Sequence, residues 1–183
     1  MIKLSILIPT VPSRKKLLDN LLEVLYPHIT DEVELIVMMD NKKRTLGYKR
    51  QEMLWLAQWE YLVFIDDDDE ITGDYVQSLL DATNSKPDVI CYNVEISINW
   101  SEKHKVFYSK ELTEHFDGEY YYRKPNHLMC FRREIALKEP YNDLRFWEDS
   151  DYAERIYKYI QSEYIIDKVL YHYKSIPNNS ECK

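Results

Sequence analysis

Glycine is scarce in this chain: only Gly47, Gly73 and Gly118 occur among 183 residues, and each stands alone. Phosphate-binding loops of the G-x-G-x-x-G and G-x-x-x-x-G-K-[ST] types need several closely spaced glycines. The absence of both patterns excludes ordinary dinucleotide-dependent oxidoreductases and P-loop enzymes. A nucleotide ligand would have to be held by other means.

Cysteine and long apolar runs are equally scarce. The three cysteines, Cys91, Cys130 and Cys182, form neither an even set nor a C-x-x-C pair, so neither a disulfide framework nor a zinc knuckle is indicated. The N-terminal apolar stretch ends at Pro9 and is too short for a signal peptide or a membrane span. We therefore expect a soluble cytoplasmic protein.

Basic residues are fewer than acidic ones, with 24 lysines and arginines against 32 aspartates and glutamates and a net charge of -8. General binding to nucleic acid or to an anionic membrane requires a strongly basic surface, so the composition argues against both. A disordered chain would lack the 45% hydrophobic and 14% aromatic residues found here. The length is typical of one compact domain, and we predict a single domain over residues 1–183.

Strand and helix patterns alternate along the first half of the chain. The predicted strands are 3–8, 33–39, 61–65 and 89–98. Between them, apolar residues at three- and four-residue spacing predict helices that begin near Ser13, Thr45 and Gly73. This order implies an α/β fold with a mostly parallel central sheet flanked by helices.

The second half of the chain is less regular. Beyond residue 99 the pattern is mixed β structure and loop. A strand leading into a short helix is predicted over 126–138, a helix over 149–160, and a strand around the Tyr171-His172-Tyr173 alternation. No linker or repeat divides the chain.

Ligands of open parallel sheets bind at the carboxyl ends of the strands. In this sequence those ends carry Pro9-Thr10, Asp40-Asn41 and Asp66 to Asp69. With Glu70, the last group places five carboxylates directly after the apolar run LVFI. Such a cluster repels itself unless a cation neutralises it, and a divalent metal with oxygen ligands is one such cation. A solvated acidic turn is the alternative interpretation.

The segment FIDDDDEI resembles the D-x-D motif of family-two glycosyltransferases with the GT-A fold, read as Asp66-x-Asp68. Further matching segments, in the family's order, are ILIPT, ELIVMMDN, the G-x-x-R helix start LGYKRQ and the E-D-x-D helix start FWEDSDYAERI. The resemblance covers residues 1 to about 80 and 125–155. Within the family, the chain resembles small phage-encoded and bacterial members. It implies a nucleotide-sugar-binding half over 1–98 and an acceptor-binding half over 99–183.

The resemblance implies a metal-dependent inverting glycosyltransferase that moves a hexose or pentose from a nucleotide-diphosphate sugar to an acceptor hydroxyl. A UDP-sugar is the expected donor, and Mn²⁺ or Mg²⁺ would neutralise its leaving group. The implied donor-site residues are Pro9, Thr10, Asp40, Arg50, Asp66 and Asp67. The implied metal ligands are Asp68, Asp66 and His172. A solvent-exposed helical arginine is the alternative for Arg50.

The resemblance also implies catalytic and acceptor residues. Asp149 would take the proton of the acceptor hydroxyl and Glu148 would support it, although both also suit the start of a helix. His127 and Trp147 are candidate acceptor contacts, and His127 could instead hydrogen-bond a loop.

Other functions stay open on the sequence alone. A nucleotidyltransferase also combines an α/β sheet with Asp-bound Mg²⁺, although PTVPSRKK lacks the glycine-rich loop expected there. A non-catalytic nucleotide-binding module of the same fold is the other alternative. The acceptor could be a glycan, a protein or a modified DNA base. A DNA acceptor predicts a basic groove formed by Lys42, Lys43, Arg44, Arg132 and Arg133.

Overall fold

A computed structural model describes residues 3–98 and 102–175 of the chain. Its first part confirms the predicted βαβαβ unit. The strands are β1 (Leu4–Thr10), β2 (Val33–Met39) and β3 (Tyr61–Phe64), and the helices are α1 (Lys15–Leu25) and α2 (Leu46–Leu56). Single 3-10 turns flank α1 at Pro12–Arg14 and Tyr26–His28.

The remaining elements are shorter and more mixed. In chain order they are β4 (Glu70–Ile71), α3 (Tyr75–Thr83), β5 (Val89–Ile98), β6 (Glu102–Tyr108), β7 (His115–Phe116), β8 (Tyr121–Arg123), β9 (Cys130–Arg132), α4 (Arg133–Ala136), α5 (Glu148–Ile156) and β10 (Glu163–Ser175). The helix predicted over 149–160 ends at Ile156 and continues as a 3-10 turn. The strand predicted around His172 is the last part of the longer β10.

The ten strands of the described residues form one mixed sheet, in which eight follow the order β2-β1-β3-β9-β5-β6-β8-β7 and β4 and β10 lie off this path. Strands β1, β2 and β3 run parallel, and β9 is antiparallel to both β3 and β5. Strand β10 pairs in parallel with β5 along its other edge and also pairs with β4. The carboxyl ends of β1, β3, β5 and β10 therefore lie at the same end of the sheet.

Burial follows the position of each element in the sheet. All seven residues of β1 are buried, since it is paired on both edges, whereas only Val33 is fully buried in the edge strand β2. Helix α1 buries Leu18, Leu21 and Leu25, the face that their spacing predicts. The predicted α/β fold is thus confirmed, with an antiparallel strand inserted between β3 and β5.

None of the helices within the described residues has the length and apolar character that crossing a membrane requires.

Helix α2 holds the loop that leads into α5. Its first turn is capped by Thr45, whose hydroxyl accepts a hydrogen bond from the Tyr48 amide. The Gly47 amide donates to the Leu144 carbonyl at 3.0 Å, and a Cβ on Gly47 would lie 2.1 Å from the Asn142 carbonyl oxygen. Only glycine fits this contact, because real Cβ atoms do not approach backbone oxygens so closely.

We expect Gly47→Ala to destabilise the protein by about 1–3 kcal/mol, since the added methyl must push the loop away from α2. Gly73→Ala is the matched control, because a Cβ there meets no atom within 4 Å. Urea unfolding of both variants measures the difference. Equal stability of the two variants would contradict the tight contact at Gly47.

Candidate active site

A cleft of about 590 Å³ opens at the carboxyl ends of β1 and β3. Its walls come from both halves of the chain: the carboxylate loop after β3, the start of α5, and the strands β5, β6 and β10. The residues that line it include Pro9, Arg14, Arg50, Asp66, Asp67, Asp68, Tyr108, Arg123, Asn126, His127, Arg145, Phe146, Trp147, Glu148, Asp149, Tyr173 and Lys174. Most of the predicted site residues therefore meet in one concave space.

Arg14 neutralises one side of the carboxylate loop. Its guanidinium contacts Asp67 at 2.7 Å and Asp68 at 3.0 Å, and the Arg14 and Asp67 side chains are almost fully buried. The Thr10 hydroxyl donates to the second Asp67 oxygen at 2.5 Å. Burial raises the pKa of Asp67, against the hydrogen bonds from Thr10 and Arg14. Asp67 is therefore a structural anchor of the loop.

Arg50 ties the carboxylate loop to α5. The residue is only 1% exposed, which rules out the solvent-exposed alternative. Its Nη2 donates to Asp66 at 2.9 Å, its Nε contacts Glu148 at 3.3 Å, and its Cζ lies 4.9 Å from the centre of the Phe64 ring. Burial would raise the pKa of Asp66, but the charge of Arg50 and the contact with His127 together outweigh it and hold that pKa well below its usual range.

The far side of the loop is closed by β10. Asp69 is buried, accepts the Tyr171 hydroxyl at 2.8 Å and accepts the Lys174 amide at 2.8 Å. The Asp66 amide in turn donates to the Tyr171 hydroxyl oxygen at 3.1 Å. Burial and the charges of Asp66 and Asp68 raise the pKa of Asp69 well above its usual range. The loop is thus fixed at both ends before any ligand binds.

Asp68 is a carboxylate of the loop that is both partly exposed to the cleft and raised in pKa. Its side chain is more exposed than that of Asp67 and lines the cleft. Burial and the negative charge of Asp66 raise the pKa of Asp68 to about 6, despite the opposing charge of Arg14. An electrostatically crowded oxygen ligand of this kind fits Mg²⁺ or Mn²⁺, since Mg²⁺ typically binds one or two carboxylates together with substrate phosphates.

His127 stands between the two acidic groups of the cleft. Its Nε2 lies 3.5 Å from an Asp66 oxygen and its Nδ1 lies 3.5 Å from an Asp149 oxygen. The residue is 6% exposed, and neither ring nitrogen makes a hydrogen bond within the described residues. His127 therefore lies between carboxylates in the lining of the cleft, and its contact with an acceptor stays a prediction.

The start of α5 presents Glu148 and Asp149 to the cleft. Trp147, which precedes them, has a left-handed backbone conformation with φ 66°, and the residue is 77% exposed. Burial raises the pKa of Glu148, although the Arg50 charge opposes it. The Asp149 side chain is 33% exposed. Of the two carboxylates, Asp149 is the one accessible to a ligand.

Three predicted site residues lie outside the lining of this cleft. Thr10 is buried and faces Asp67, and Asp40 pairs with Lys49 at 2.9 Å. His172 is directed at Glu95, with 3.2 Å between Nδ1 and Oε1. Within residues 3–98 and 102–175, no three His, Cys, Asp or Glu side chains are grouped as a metal site. The predicted set of Asp66, Asp68 and His172 is therefore not brought together as a metal site: Asp68 borders both hollows, but Asp66 lines the cleft, whereas His172 lines a second hollow.

The basic groove that a DNA acceptor predicts is not formed. Lys42, Lys43 and Arg44 follow the carboxyl end of β2, whereas Arg132 pairs with Tyr61 at the amino end of β3. The two groups thus lie at opposite ends of the parallel strands. Arg132 also forms ion pairs with Asp88 and Glu134, and the Arg133 Nε donates to the Ala57 carbonyl at 2.6 Å.

Three residues that were not predicted from the sequence as site residues form contacts that stabilise this site: Arg14, Lys49 and Tyr171. Arg14 follows β1 by four residues at the ligand-binding end of the sheet, a position that could have drawn attention to it. The Lys49 ammonium donates to the Thr10 carbonyl at 2.8 Å. No sequence signal marks Tyr171, which reaches Asp66 from 105 residues further along the chain.

We expect Arg14→Ala to lower the free energy of unfolding by about 3 kcal/mol, because it leaves the Asp67 carboxylate buried without its charged partner. The matched control is Lys15→Ala, which removes an exposed pair with Asp19 and should cost less than about 0.5 kcal/mol. Urea unfolding at pH 7 gives both values. A loss at Arg14 as small as that at Lys15 would contradict a buried, stabilising pair.

The chain has an α/β fold with a carboxylate-lined cleft at the carboxyl ends of its parallel strands. The model of glycosyl transferase family 2 matches residues 15–144, more than half of the chain. The chain therefore belongs to glycosyl transferase family 2. No curated protein matches the sequence significantly.

Solved structures support the same fold. A crystal structure of S. aureus TarS has a TM-score of 0.71 and 14% identity, covering 95% of this chain and 37% of that one. TarS 1–349 in complex with UDP-GlcNAc has a TM-score of 0.70 and 14% identity, covering 97% and 60%. The complex with UDP has a TM-score of 0.68 and 15% identity, covering 96% and 61%. The chain spans less than two thirds of these TarS chains, and the similarity shows the GT-A fold.

Proposed function

We propose that this protein is a metal-dependent inverting glycosyltransferase that transfers a sugar from a nucleotide-diphosphate donor to an acceptor hydroxyl. The observation that carries the proposal is the meeting of two carboxylate groups in one cleft: Asp66 and Asp68 after β3, and Glu148 and Asp149 at the start of α5. Holding the metal of the donor and deprotonating the acceptor each need a carboxylate, and membership of glycosyl transferase family 2 is consistent with this chemistry.

The donor half of the cleft suits a diphosphate. Asp68 and Asp66 would hold Mn²⁺ or Mg²⁺, which when bound neutralises the negative charge that develops on the leaving nucleoside diphosphate. Arg123, Arg145 and Lys174 line the same cleft and add positive charge for phosphate oxygens. The TarS complexes with UDP-GlcNAc and UDP make a UDP-sugar the first donor to test.

Asp149 is proposed as the general base. It is the more exposed carboxylate of the α5 start, and it lines the cleft beside Asp66. It would accept the proton of the acceptor hydroxyl while that oxygen attacks the anomeric carbon and the nucleoside diphosphate leaves. One displacement of this kind inverts the anomeric configuration. Glu148, paired with Arg50, would hold the start of the helix in place.

The alternatives are less well supported. A nucleotidyltransferase would be expected to carry a glycine-rich loop after its first strand, and the segment PTVPSRKK contains no glycine. A non-catalytic module needs no general base. Turnover of a nucleotide sugar by the protein would distinguish an enzyme from such a module. For the acceptor, the missing basic groove favours a glycan or a protein over DNA.

We expect Asp68→Asn to weaken UDP binding in the presence of Mn²⁺ by at least about 10-fold, the loss that even outer-shell partners of metal ligands cause. Binding without Mn²⁺ should change little. Isothermal titration calorimetry with and without MnCl₂ measures both, and Asp19→Asn on the exposed face of α1 is the control. Wild-type-like, Mn²⁺-dependent affinity in Asp68→Asn would rule out this metal site.

We expect Asp149→Asn to lower kcat by about 100-fold or more, because the amide cannot accept a proton, while UDP affinity stays as in the wild type. A panel of nucleotide sugars, assayed for release of the nucleoside diphosphate, supplies the turnover measurement. Asp151→Asn, two residues later on α5 and paired with Arg155, is the matched control. Full turnover in Asp149→Asn would refute the assignment of the base.

A further inference from the structure

We propose that His127 is a positioning residue that sets the catalytic carboxylate Asp149 against the donor-side carboxylate Asp66, one ring nitrogen serving each. The inference rests on the function proposed above and goes beyond it, since it assigns a separate task to each nitrogen of one side chain. Nε2 serves the donor side through Asp66, and Nδ1 serves the acceptor side through Asp149.

The geometry of the ring supports this assignment. The two nitrogens lie on different edges of the imidazole, and each is 3.5 Å from a carboxylate oxygen of a different element. Hydrogen bonds between nitrogen and oxygen are shorter, typically 2.7–3.2 Å. Contacts of this kind in ligand-free active sites are often long and tighten when the substrate binds. Neither nitrogen has another partner in the described part of the chain.

The backbone that carries His127 is rigidly held. In the turn before β9, the Met129 amide donates to the Asn126 carbonyl at 2.9 Å, and the Leu128 amide donates to the Asn126 side chain at 3.1 Å. The Tyr92 hydroxyl donates to the Leu128 carbonyl. Because β9 runs antiparallel to β3, with Arg132 opposite Tyr61 and Phe131 opposite Leu62, its start points towards the carboxyl end of β3, where the carboxylate loop begins.

Two side chains, Arg50 and His127, connect the carboxylate loop to the start of α5. Arg50 joins Asp66 to Glu148, and His127 joins Asp66 to Asp149. Glu148 is buried against the arginine, so Arg50 fixes where α5 starts. Asp149 is more exposed. Among the described residues, the His127 ring is the side chain that lies within ion-pair distance of the Asp149 carboxylate. His127 is therefore the group that can orient Asp149 itself.

Two substitutions separate the tasks of the two nitrogens. The side-chain amide nitrogen of Asn occupies the place of His Nδ1, and that of Gln occupies the place of Nε2. His127→Gln therefore keeps a donor facing Asp66 and loses the contact to Asp149. His127→Asn does the reverse. His127→Ala removes both contacts, and His115→Gln on the exposed strand β7 is the control.

The experiment measures kcat and KM for the nucleotide sugar that the wild type turns over, together with the Kd of UDP and Mn²⁺ and the melting temperature. We expect His127→Gln to lower kcat by about 10- to 100-fold with an unchanged UDP affinity, the size of effect typical of residues that orient catalytic ligands. We expect His127→Asn to keep kcat within about threefold and to raise KM and Kd by about 10-fold.

A merely structural histidine gives a different result. Both variants would then lose stability, and kcat and KM would change together or not at all, which overturns the inference. If the wild type and Asp149→Asn behave as proposed while His127→Gln retains full kcat, the proposed function stands and the positioning role fails. If the wild type turns over none of the nucleotide sugars in the panel, both fail.

Discussion

The buried pairing of Arg50 with Asp66 and Glu148 is the interaction on which the site depends. It joins three distant parts of the chain: helix α2, the loop after β3 and the start of α5. A buried charge without a partner is costly, so each member of this group requires the other two. Against the effect of burial, the charge of Arg50 and the contact with His127 hold the pKa of Asp66 down, and burial together with the Asp66 charge raises the pKa values of Asp68 and Asp69.

The chain has too few glycines for a backbone cradle of the phosphate-binding type. The cleft contains a carboxylate loop instead, held by Arg14 on one side and by β10 on the other. This loop carries more negative charge than its arginines balance. Under the proposed function, a divalent cation bound to this loop would supply the positive charge that a diphosphate needs.

The topology brings the second carboxylate group to the first. Because β9 is inserted antiparallel between β3 and β5, the turn that carries His127 lies at the same end of the sheet as the carboxylate loop. The loop before α5 is packed on the first turn of α2 at Gly47, which places Trp147, Glu148 and Asp149 above the cleft. The irregular second half of the chain thus completes a site begun by the regular first half.

The sequence by itself determined the α/β class, the βαβαβ unit and the carboxylate loop at its end, because apolar periodicity and strand-end position are local properties. It also indicated Asp149 through a family motif. Tertiary structure alone decided the partners: Arg14 with Asp67, Arg50 with Glu148, and His127 between two carboxylates. It separated His172 from Asp66 and divided the predicted basic groove between two ends of the sheet. These outcomes depend on strand order and long-range burial, which no local pattern of residues encodes.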